Sequence, residues 1–137
     1  MHIPRVGIAS LVMHDGRLLL GPRHKAPGEG SWQLPGGFMV AGEAVFDAAT
    51  RLALEKAEVI IQPLQLGPYT NNVFPDIDFH SVTLYVLARL NTDQITKPLT
   101  GDWQWFDLDN LPQPLFLPLQ LLLDDHDDWL HSVGVFE

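Results

Sequence analysis

The chain has 137 residues, no cysteine, and 17 acidic against 8 basic side chains, which gives a formal net charge of -9. This length indicates one domain, and a hydrophobic content of 46% is typical of a soluble globular protein rather than a disordered one. The lack of cysteine excludes disulfides, thiolate metal sites and thiol nucleophiles. The acidic balance argues against a nucleic-acid polymer as partner, because its phosphates need clustered Lys and Arg. A small phosphorylated ligand needs only a local basic patch.

The N-terminal segment has no basic leader followed by a long apolar core, and no stretch is long enough to span a membrane. We therefore expect a cytoplasmic protein without a membrane partner.

The first half of the chain is predicted to form short strands, a polar loop and one helix. Residues 5–13 and 17–21 are apolar enough for strands, and the Asp15-Gly16 pair between them is a strong hairpin signal. A polar loop follows, then a short strand at 32–34 and a glycine-rich turn at Gly36-Gly37. Residues 44–58 lack Gly and Pro and are rich in helix formers, which predicts a helix.

The second half is predicted to be mostly strands with a C-terminal helix. Strands are expected at 59–66, 69–74, 79–90 and 103–106, with one helical turn within 108–118, a helix at 115–125, and an acidic tail over about 124–137. The strand at 79–90 is largely apolar on both faces, which is typical of a central strand covered on both sides. This order of elements indicates an α/β protein with a mixed sheet between helices.

The helix at 44–58 carries its charges on one side. An advance of about 100° per residue puts Glu43, Arg51 and Glu55 on one face and the apolar residues broadly opposite. A solvated surface face with weak i,i+4 ion pairs would explain this pattern. The alternative is a ligand site, because Gly36 and Gly37 lack a Cβ and allow close approach of the backbone to a ligand or ion. Mg²⁺ prefers carboxylates, waters and phosphates, so Glu55 and a carbonyl of that turn are candidate ligands.

The spacing Gly37, five residues, Glu43, seven residues, Arg51 resembles the opening of the Nudix box, G-x5-E-x7-R-E-U-x-E-E-x-G-U, in which U is bulky and apolar. LLLGPRHKAPGEGSWQLPGG, FHSVTLYVLARL and DWQWFDLDNLP are similar to the segments around the box in small Nudix nucleotide pyrophosphohydrolases. The resemblance covers nearly the whole chain, with the box at 37–59. It implies the Nudix α/β/α sandwich as one domain over residues 1–137. It also implies water attack at the phosphorus of a nucleoside diphosphate-linked substrate, with Mg²⁺ as cofactor.

The resemblance also implies roles for single residues. The Gly36 carbonyl and Glu55 would be metal ligands, Arg51 would orient Glu55, and Glu43 would support the site. The chain departs from the pattern at three places. Leu52 and Lys56 stand where acids are expected, and Glu58 stands where glycine closes the helix. These departures put a cluster of several Mg²⁺ ions in doubt, because Lys56 reverses a charge at a ligand position.

Three hypotheses follow. The favoured one is a Nudix hydrolase with reduced metal dependence, whose base comes from a loop; Asp76, Asp78, His80 and Asp102 are candidates. The alternative is a domain that binds nucleotides or related diphosphates without turnover, with the Lys56 ammonium replacing a metal charge as a point charge on phosphate. The third is a purely structural or partner-binding domain.

Other residues are candidates on the substrate side. Arg23 matches a position where small Nudix enzymes often place a basic residue near the phosphates. Trp103 and Trp105 are expected to face opposite sides, one in the core and one lining the base pocket; Trp105 is our candidate for the pocket. Exposed apolar edges, including Tyr69 and Phe74, would permit a homodimer. The run DDHDDWLH at 124–131 is expected to be a solvated acidic segment rather than a metal site.

Overall fold

The computed structural model describes residues 3–134. Seven strands, two α-helices and one 3-10 turn make up this part of the chain. In chain order they are β1 (Arg5–His14), β2 (Arg17–Pro22), β3 (Trp32–Gln33), β4 (Gly36–Phe38), α1 (Val45–Ala57), β5 (Ile61–Phe74), β6 (Phe79–Leu90), the 3-10 turn (Thr92–Gln94), β7 (Gln104–Asp107) and α2 (Leu117–Gly134).

The strands form one mixed sheet in the order β3-β2-β1-β6-β5, with β4 beside β1 and β7 beside β2. β1 and β6 run parallel over eight paired residues, and the other pairs are antiparallel. The predicted central strand is confirmed, because β6 pairs with a neighbour along each edge. The Asp15-Gly16 hairpin is confirmed too, with both residues at positive φ (51° and 73°), as a tight turn between twisted strands requires.

The two helices cover opposite faces of the sheet. Side chains alternate along β1, so Ile8 and Val12 point towards α1, whereas Leu11 and Met13 point towards α2. Each face has its own buried apolar cluster: one joins α1 to β1 and β6, and the other joins α2 to the same strands. The expected α/β/α sandwich with a mixed sheet is therefore confirmed.

Two expectations for the β-rich part are wrong in detail. The strands expected at 59–66 and 69–74 form the single strand β5, whose pairing with β6 shifts register between Pro63 and Gln65 and between Leu66 and Tyr69. At these irregularities the strand accommodates proline and glycine residues that would otherwise interrupt regular pairing. The helical turn expected within 108–118 is absent from that stretch, and the 3-10 turn lies instead at Thr92–Gln94.

The acidic segment at 124–134 belongs to α2 and is not a tail; residues 135–137 lie outside the described part. The helix continues across a kink at His126 (φ -136°, ψ 28°). It continues because its last turns bury apolar groups: Leu130 is fully buried, and Trp129 packs so closely on Gly67 that a Cβ there would lie 2.5 Å from the indole. The exposed side still carries the acids, as expected.

The two tryptophans of the WQWF segment do not face opposite sides. Both pack, partly buried, against the apolar cluster beneath α1. The expectation was wrong because residues two positions apart in extended chain share a face.

Neither helix in residues 3–134 combines the length and apolar composition that crossing a membrane requires. β5 lies at the edge of the sheet and exposes Leu66, Tyr69 and Val73, whereas Phe74 is only 8% exposed and points inwards. Phe74 is therefore not part of an exposed apolar edge. The homodimer stays a prediction.

The end of α1 shows how the chain tolerates the missing glycine of the box. Glu58 takes the left-handed conformation (φ 55°, ψ 39°) in which the helix ends, and its amide donates a hydrogen bond to the Leu54 carbonyl at 3.1 Å. A side chain in this conformation is strained by contact between its Cβ and the backbone, whereas glycine is not.

We expect Glu58→Gly to raise the free energy of unfolding by about 0.5–1 kcal/mol, because it removes the Cβ strain at the helix end. The measurement is urea unfolding followed by circular dichroism. Glu58→Ala is the matched control, since it removes the carboxylate but keeps the Cβ. Equal stability of the two variants would show that the left-handed conformation carries no strain.

Candidate functional site

Gly36 and Gly37 allow β4 to lie unusually close to its neighbours. The sequence predicts a turn at these two residues, but both are extended and belong to β4. The turn before α1 lies at Ala41-Gly42, with Gly42 at φ 82°. A Cβ on Gly36 would lie 2.6 Å from the Ile8 carbonyl oxygen, and a Cβ on Gly37 would lie 2.7 Å from a Leu52 methyl. Gly36 is therefore required for strand pairing, because its Cβ would meet backbone, whereas a Cβ at position 37 would displace the Leu52 side chain of α1.

Arg51 ties α1 to the chain that precedes it. Its Nε and Nη2 donate to both carboxylate oxygens of Glu43 at 2.7 and 3.0 Å, and Nη2 also donates to the Phe38 carbonyl at 3.1 Å. Nη1 donates to Glu55 at 3.2 Å. The hydrogen bond from Arg51 holds the pKa of Glu43 below its usual value, and the same bond raises the pKa of Arg51. Both groups are therefore charged around neutral pH, and Glu43 acts as a support for Arg51.

A cavity of about 320 Å³ opens between β4, the C-terminal half of α1, β6 and the start of α2. Its space comes from small residues on β1: Gly7 pairs with Thr83 and Ala9 pairs with Tyr85, so no large side chain fills the face above β6. The residues that were expected to form the site meet on its wall, namely Arg23, Gly36, Arg51, Glu55 and Lys56.

One side of the cavity is a cationic wall made of Arg23, Lys25 and Lys56. The same three residues also line an adjoining outer groove of about 530 Å³. The Lys56 stem crosses Gly37, with Cε 3.7 Å from where a Cβ would stand. Neither lysine makes an ion pair with any residue in 3–134. Two ammonium groups are thus available to an anionic ligand at the mouth of the cavity.

Arg23 is held more firmly than the lysines. Its Nη1 donates to Gln33 at 2.9 Å, its Nε donates to the Pro27 carbonyl, and its guanidinium lies 4.1 Å from the ring centre of Phe116. Partial burial lowers the pKa of Arg23, although a guanidinium stays protonated. These contacts fix its position, so Arg23 presents a positioned charge.

Four phenylalanines that contact one another in a chain form an aromatic wall, which meets the cationic wall where Arg23 lies over Phe116. The ring centres lie 6.0 Å apart for Phe38 and Phe79, 5.7 Å for Phe79 and Phe74, and 5.9 Å for Phe74 and Phe116. All four line the cavity. Such faces accept a flat apolar or heteroaromatic ring.

A polar floor closes the cavity at β6, where Ser81, Thr83 and Tyr85 point into it and are each at most 7% exposed. Behind them on β5, the buried side chains of Thr70 and Asn72 complete a hydrogen-bonded network. Sequence analysis treated this stretch only as a central strand that is largely apolar on both faces, and Tyr85 does belong to the buried cluster beneath α2. The missed signal was their alternation: hydroxyl side chains occupy every second position of a central strand, where apolar ones are usual.

The acids do not form a metal centre. In the described part of the chain, no group of three or more His, Asp or Glu side chains is placed to hold a metal ion. Glu55 is the one acid among the residues that line the cavity, and it already accepts a bond from Arg51. The neighbouring positions present the Leu52 methyls and the Lys56 ammonium. The donor set therefore does not fit a cluster of Mg²⁺ ions, and a metal contact of the Gly36 carbonyl stays a prediction.

The remaining candidates lie elsewhere. Trp105 is not among the residues lining either space; its ring lies 5.8 Å from that of His14. Asp102 lines the outer groove, and Asp76, Asp78 and His80 line neither space. No loop acid or histidine is thus placed in the cavity as a base.

Comparison with known proteins agrees with the fold. The family model of the NUDIX domain matches residues 1–129. The chain is 28% identical over 130 residues to an ADP-ribose pyrophosphatase of Methanocaldococcus jannaschii, covering 92% of this chain and 75% of that protein.

Solved structures show the same similarity. A MutT NUDIX hydrolase of Burkholderia pseudomallei superposes with a TM-score of 0.76 at 29% identity, over 91% of this chain and 99% of that one. The NUDIX domain of Shewanella oneidensis NrtR, solved in complex with ADP ribose, gives a TM-score of 0.67 at 26% identity, over 94% and 90%. With a family model that matches most of its length, the chain belongs to the NUDIX domain family.

Proposed function

We propose that this domain binds a nucleoside diphosphate or a nucleoside diphosphate-linked compound in the cavity, and that the cationic wall holds the diphosphate without a metal cluster. One observation carries the proposal: a single cavity joins Arg23, Lys25 and Lys56 to four phenylalanines and a neutral polar floor. Charged and aromatic surfaces that adjoin in one space match a ligand that carries both a phosphate group and a flat ring.

Charge at the cavity wall supports binding over metal-dependent hydrolysis. Phosphate oxygens gain charge-assisted hydrogen bonds from ammonium and guanidinium groups, which take over part of the charge that metal ions supply elsewhere. A divalent ion beside the Lys56 ammonium would instead meet repulsion of several kcal/mol, on the order expected at intermediate dielectric. ADP-ribose bound to the similar NrtR domain is a precedent for a ligand of this class in this fold.

A second candidate is a hydrolase with reduced metal dependence. One observation favours it: the Glu55 carboxylate lines both the cavity and the outer groove, next to Gly36 and Gly37. One relative is an ADP-ribose pyrophosphatase, which is a hydrolase. The two candidates differ in turnover. Release of phosphate or a nucleoside monophosphate that stops on chelation of Mg²⁺ would establish the second and overturn the first.

We expect ADP, UDP or a nucleotide sugar to bind with the same Kd in excess EDTA and in Mg²⁺. Lys56→Ala is expected to weaken that binding about tenfold, because one charged hydrogen bond to phosphate contributes about 1.5 kcal/mol. Isothermal titration calorimetry measures both effects. Lys97→Ala is the matched control, since Lys97 is exposed and lines neither space. An affinity that depends on Mg²⁺ and not on Lys56 would contradict the proposal.

Lys56→Glu places a second acid beside Glu55 and should change how the ligand is held. We expect binding in EDTA to fall more than tenfold, because a carboxylate would then face the phosphate oxygens. Added Mg²⁺ should restore a large part of the affinity, since two adjacent carboxylates and a diphosphate supply the oxygen ligands it prefers. The measurement is titration of the same ligands with and without Mg²⁺. No effect of Mg²⁺ on the variant would mean that position 56 does not face the phosphates.

A further inference from the structure

The polar floor contains a hydroxyl whose proton has no acceptor within the described part of the protein. Ser81 is 5% exposed, lines the cavity, and takes part in one side-chain hydrogen bond, which its Oγ accepts from Asn72 Nδ2 at 3.1 Å. A buried hydroxyl proton without an acceptor is costly, so an unpaired one at a cavity indicates a ligand group.

Asn72 determines which way the protons of the floor point. Its side chain is fully buried, and its two amide protons are both used, on Ser81 Oγ at 3.1 Å and on Thr83 Oγ1 at 2.9 Å. Its carbonyl oxygen accepts the hydroxyl proton of Thr70 at 2.8 Å. Since the amide only donates to them, Ser81 and Thr83 cannot donate back to Asn72, and each must send its own proton elsewhere.

Thr83 and Ser81 differ in what they can reach. Tyr85 OH lies 2.8 Å from Thr70 Oγ1, and because the single Thr70 proton goes to Asn72, Tyr85 donates to Thr70. Burial raises the pKa of Tyr85, and the hydroxyls of Thr70 and Thr83 oppose that shift. The Thr83 hydroxyl therefore has the phenol oxygen as a neighbouring acceptor. Ser81 stands outside this ring of hydrogen bonds, with the cavity in front of it.

We propose that Asn72 fixes the Ser81 hydroxyl as a hydrogen-bond donor into the cavity, and that this donor selects ligands whose buried ring edge carries a carbonyl oxygen over those with an amino group. The inference rests on the proposed function, which places a flat heterocycle between the aromatic wall and the polar floor. Ser81 contacts the ligand, and Asn72 acts as a positioning residue through it.

The selectivity depends on whether the ligand offers an acceptor for the Ser81 hydroxyl proton. A carbonyl oxygen accepts the Ser81 proton, and the floor is then satisfied. An amino group can donate to the remaining lone pair of Ser81, but the Ser81 proton then has no acceptor. No acidic side chain lines this part of the cavity to take the amino protons instead, because Glu55 lies at the mouth with Arg51. One unpaired buried proton corresponds to a preference of about tenfold or more.

Two pairs of probes test this: inosine diphosphate against ADP, and UDP against CDP. Within each pair an oxo group replaces an amino group, and the adjacent ring nitrogen carries a proton in the oxo member. Calorimetry should give a Kd about tenfold lower for the oxo member of at least one pair. Equal affinities within both pairs, or tighter binding of the amino members, overturn the inference while leaving the proposed function intact. If none of the four binds, the proposed function fails and the inference fails with it.

Variants separate selectivity from folding. Ser81→Ala should abolish the preference by weakening the oxo ligand alone. Asn72→Asp should reverse it, because a carboxylate accepts the Ser81 proton and leaves only lone pairs facing the ligand.

Ser10→Ala is the control: Ser10 Oγ is buried on the adjoining strand without a hydrogen-bond partner and does not line the cavity. Equal loss for both members of a pair in Ser81→Ala would show a structural role only. If Asn72→Asp does not fold, the ratio of the two Kd values within a probe pair, measured for Ser81→Ala, decides alone.

Discussion

The bonds of the Arg51 guanidinium hold the candidate site together. One planar group bridges Glu43 in the preceding turn, the Phe38 carbonyl at the end of β4 and Glu55 one turn further along α1. Rigid, bidentate contacts of this kind fix direction as well as distance. They set α1 against β4 so that the next residue, Lys56, crosses Gly37 and reaches the mouth of the cavity. Without these hydrogen bonds, the positions of Gly36-Gly37 and of the cationic wall relative to a bound ligand would not be fixed.

Leu52 and Lys56, two of the departures from the Nudix box, have related effects on the cavity wall. Leu52 is 3% exposed and fills the space that Gly37 leaves open, so the core takes over a position at which an acid would face the ligand. Lys56 then replaces a carboxylate by an ammonium on the same wall. An apolar contact and a positive charge at these two positions are compatible with each other and with a bound diphosphate. They are not compatible with several divalent ions, and the missing acid cluster in the described residues agrees with that.

Much of the fold could be predicted from local features of the chain. The bounds of β6 and, to within a residue, of α1 followed from side-chain alternation and from the absence of Gly and Pro. Helical periodicity placed Arg51 and Glu55 on one face but put Lys56 among the apolar residues on the other, so its position on the same cavity wall was not predicted. The cavity did not follow, because alternation shows that Ser81, Thr83 and Tyr85 share a face but not whether a helix covers it. α2 covers the part of that face near Leu11, Tyr85 and Leu87. The small residues Gly7 and Ala9 leave the rest open, which is a property of the pairing between β1 and β6.

The ligand that we propose is acidic, and so is the protein, so the charge of the whole chain must be distinguished from the charge beside the cavity. The net charge of -9 disfavours a polyanion, which would contact a large surface. Charges more than about 8 Å away are largely screened at physiological salt, so a compact diphosphate responds mainly to the groups beside it. At the cavity these are two lysines, the positioned Arg23, and Arg51 with the Glu55 carboxylate that it bonds. The rest of the lining is neutral, so under the proposed function affinity would arise at the phosphate end and selectivity at the polar floor. Substitution of Lys56 is therefore expected to change affinity without changing base selectivity. Substitution of Ser81 is expected to change base selectivity without changing the contacts to phosphate.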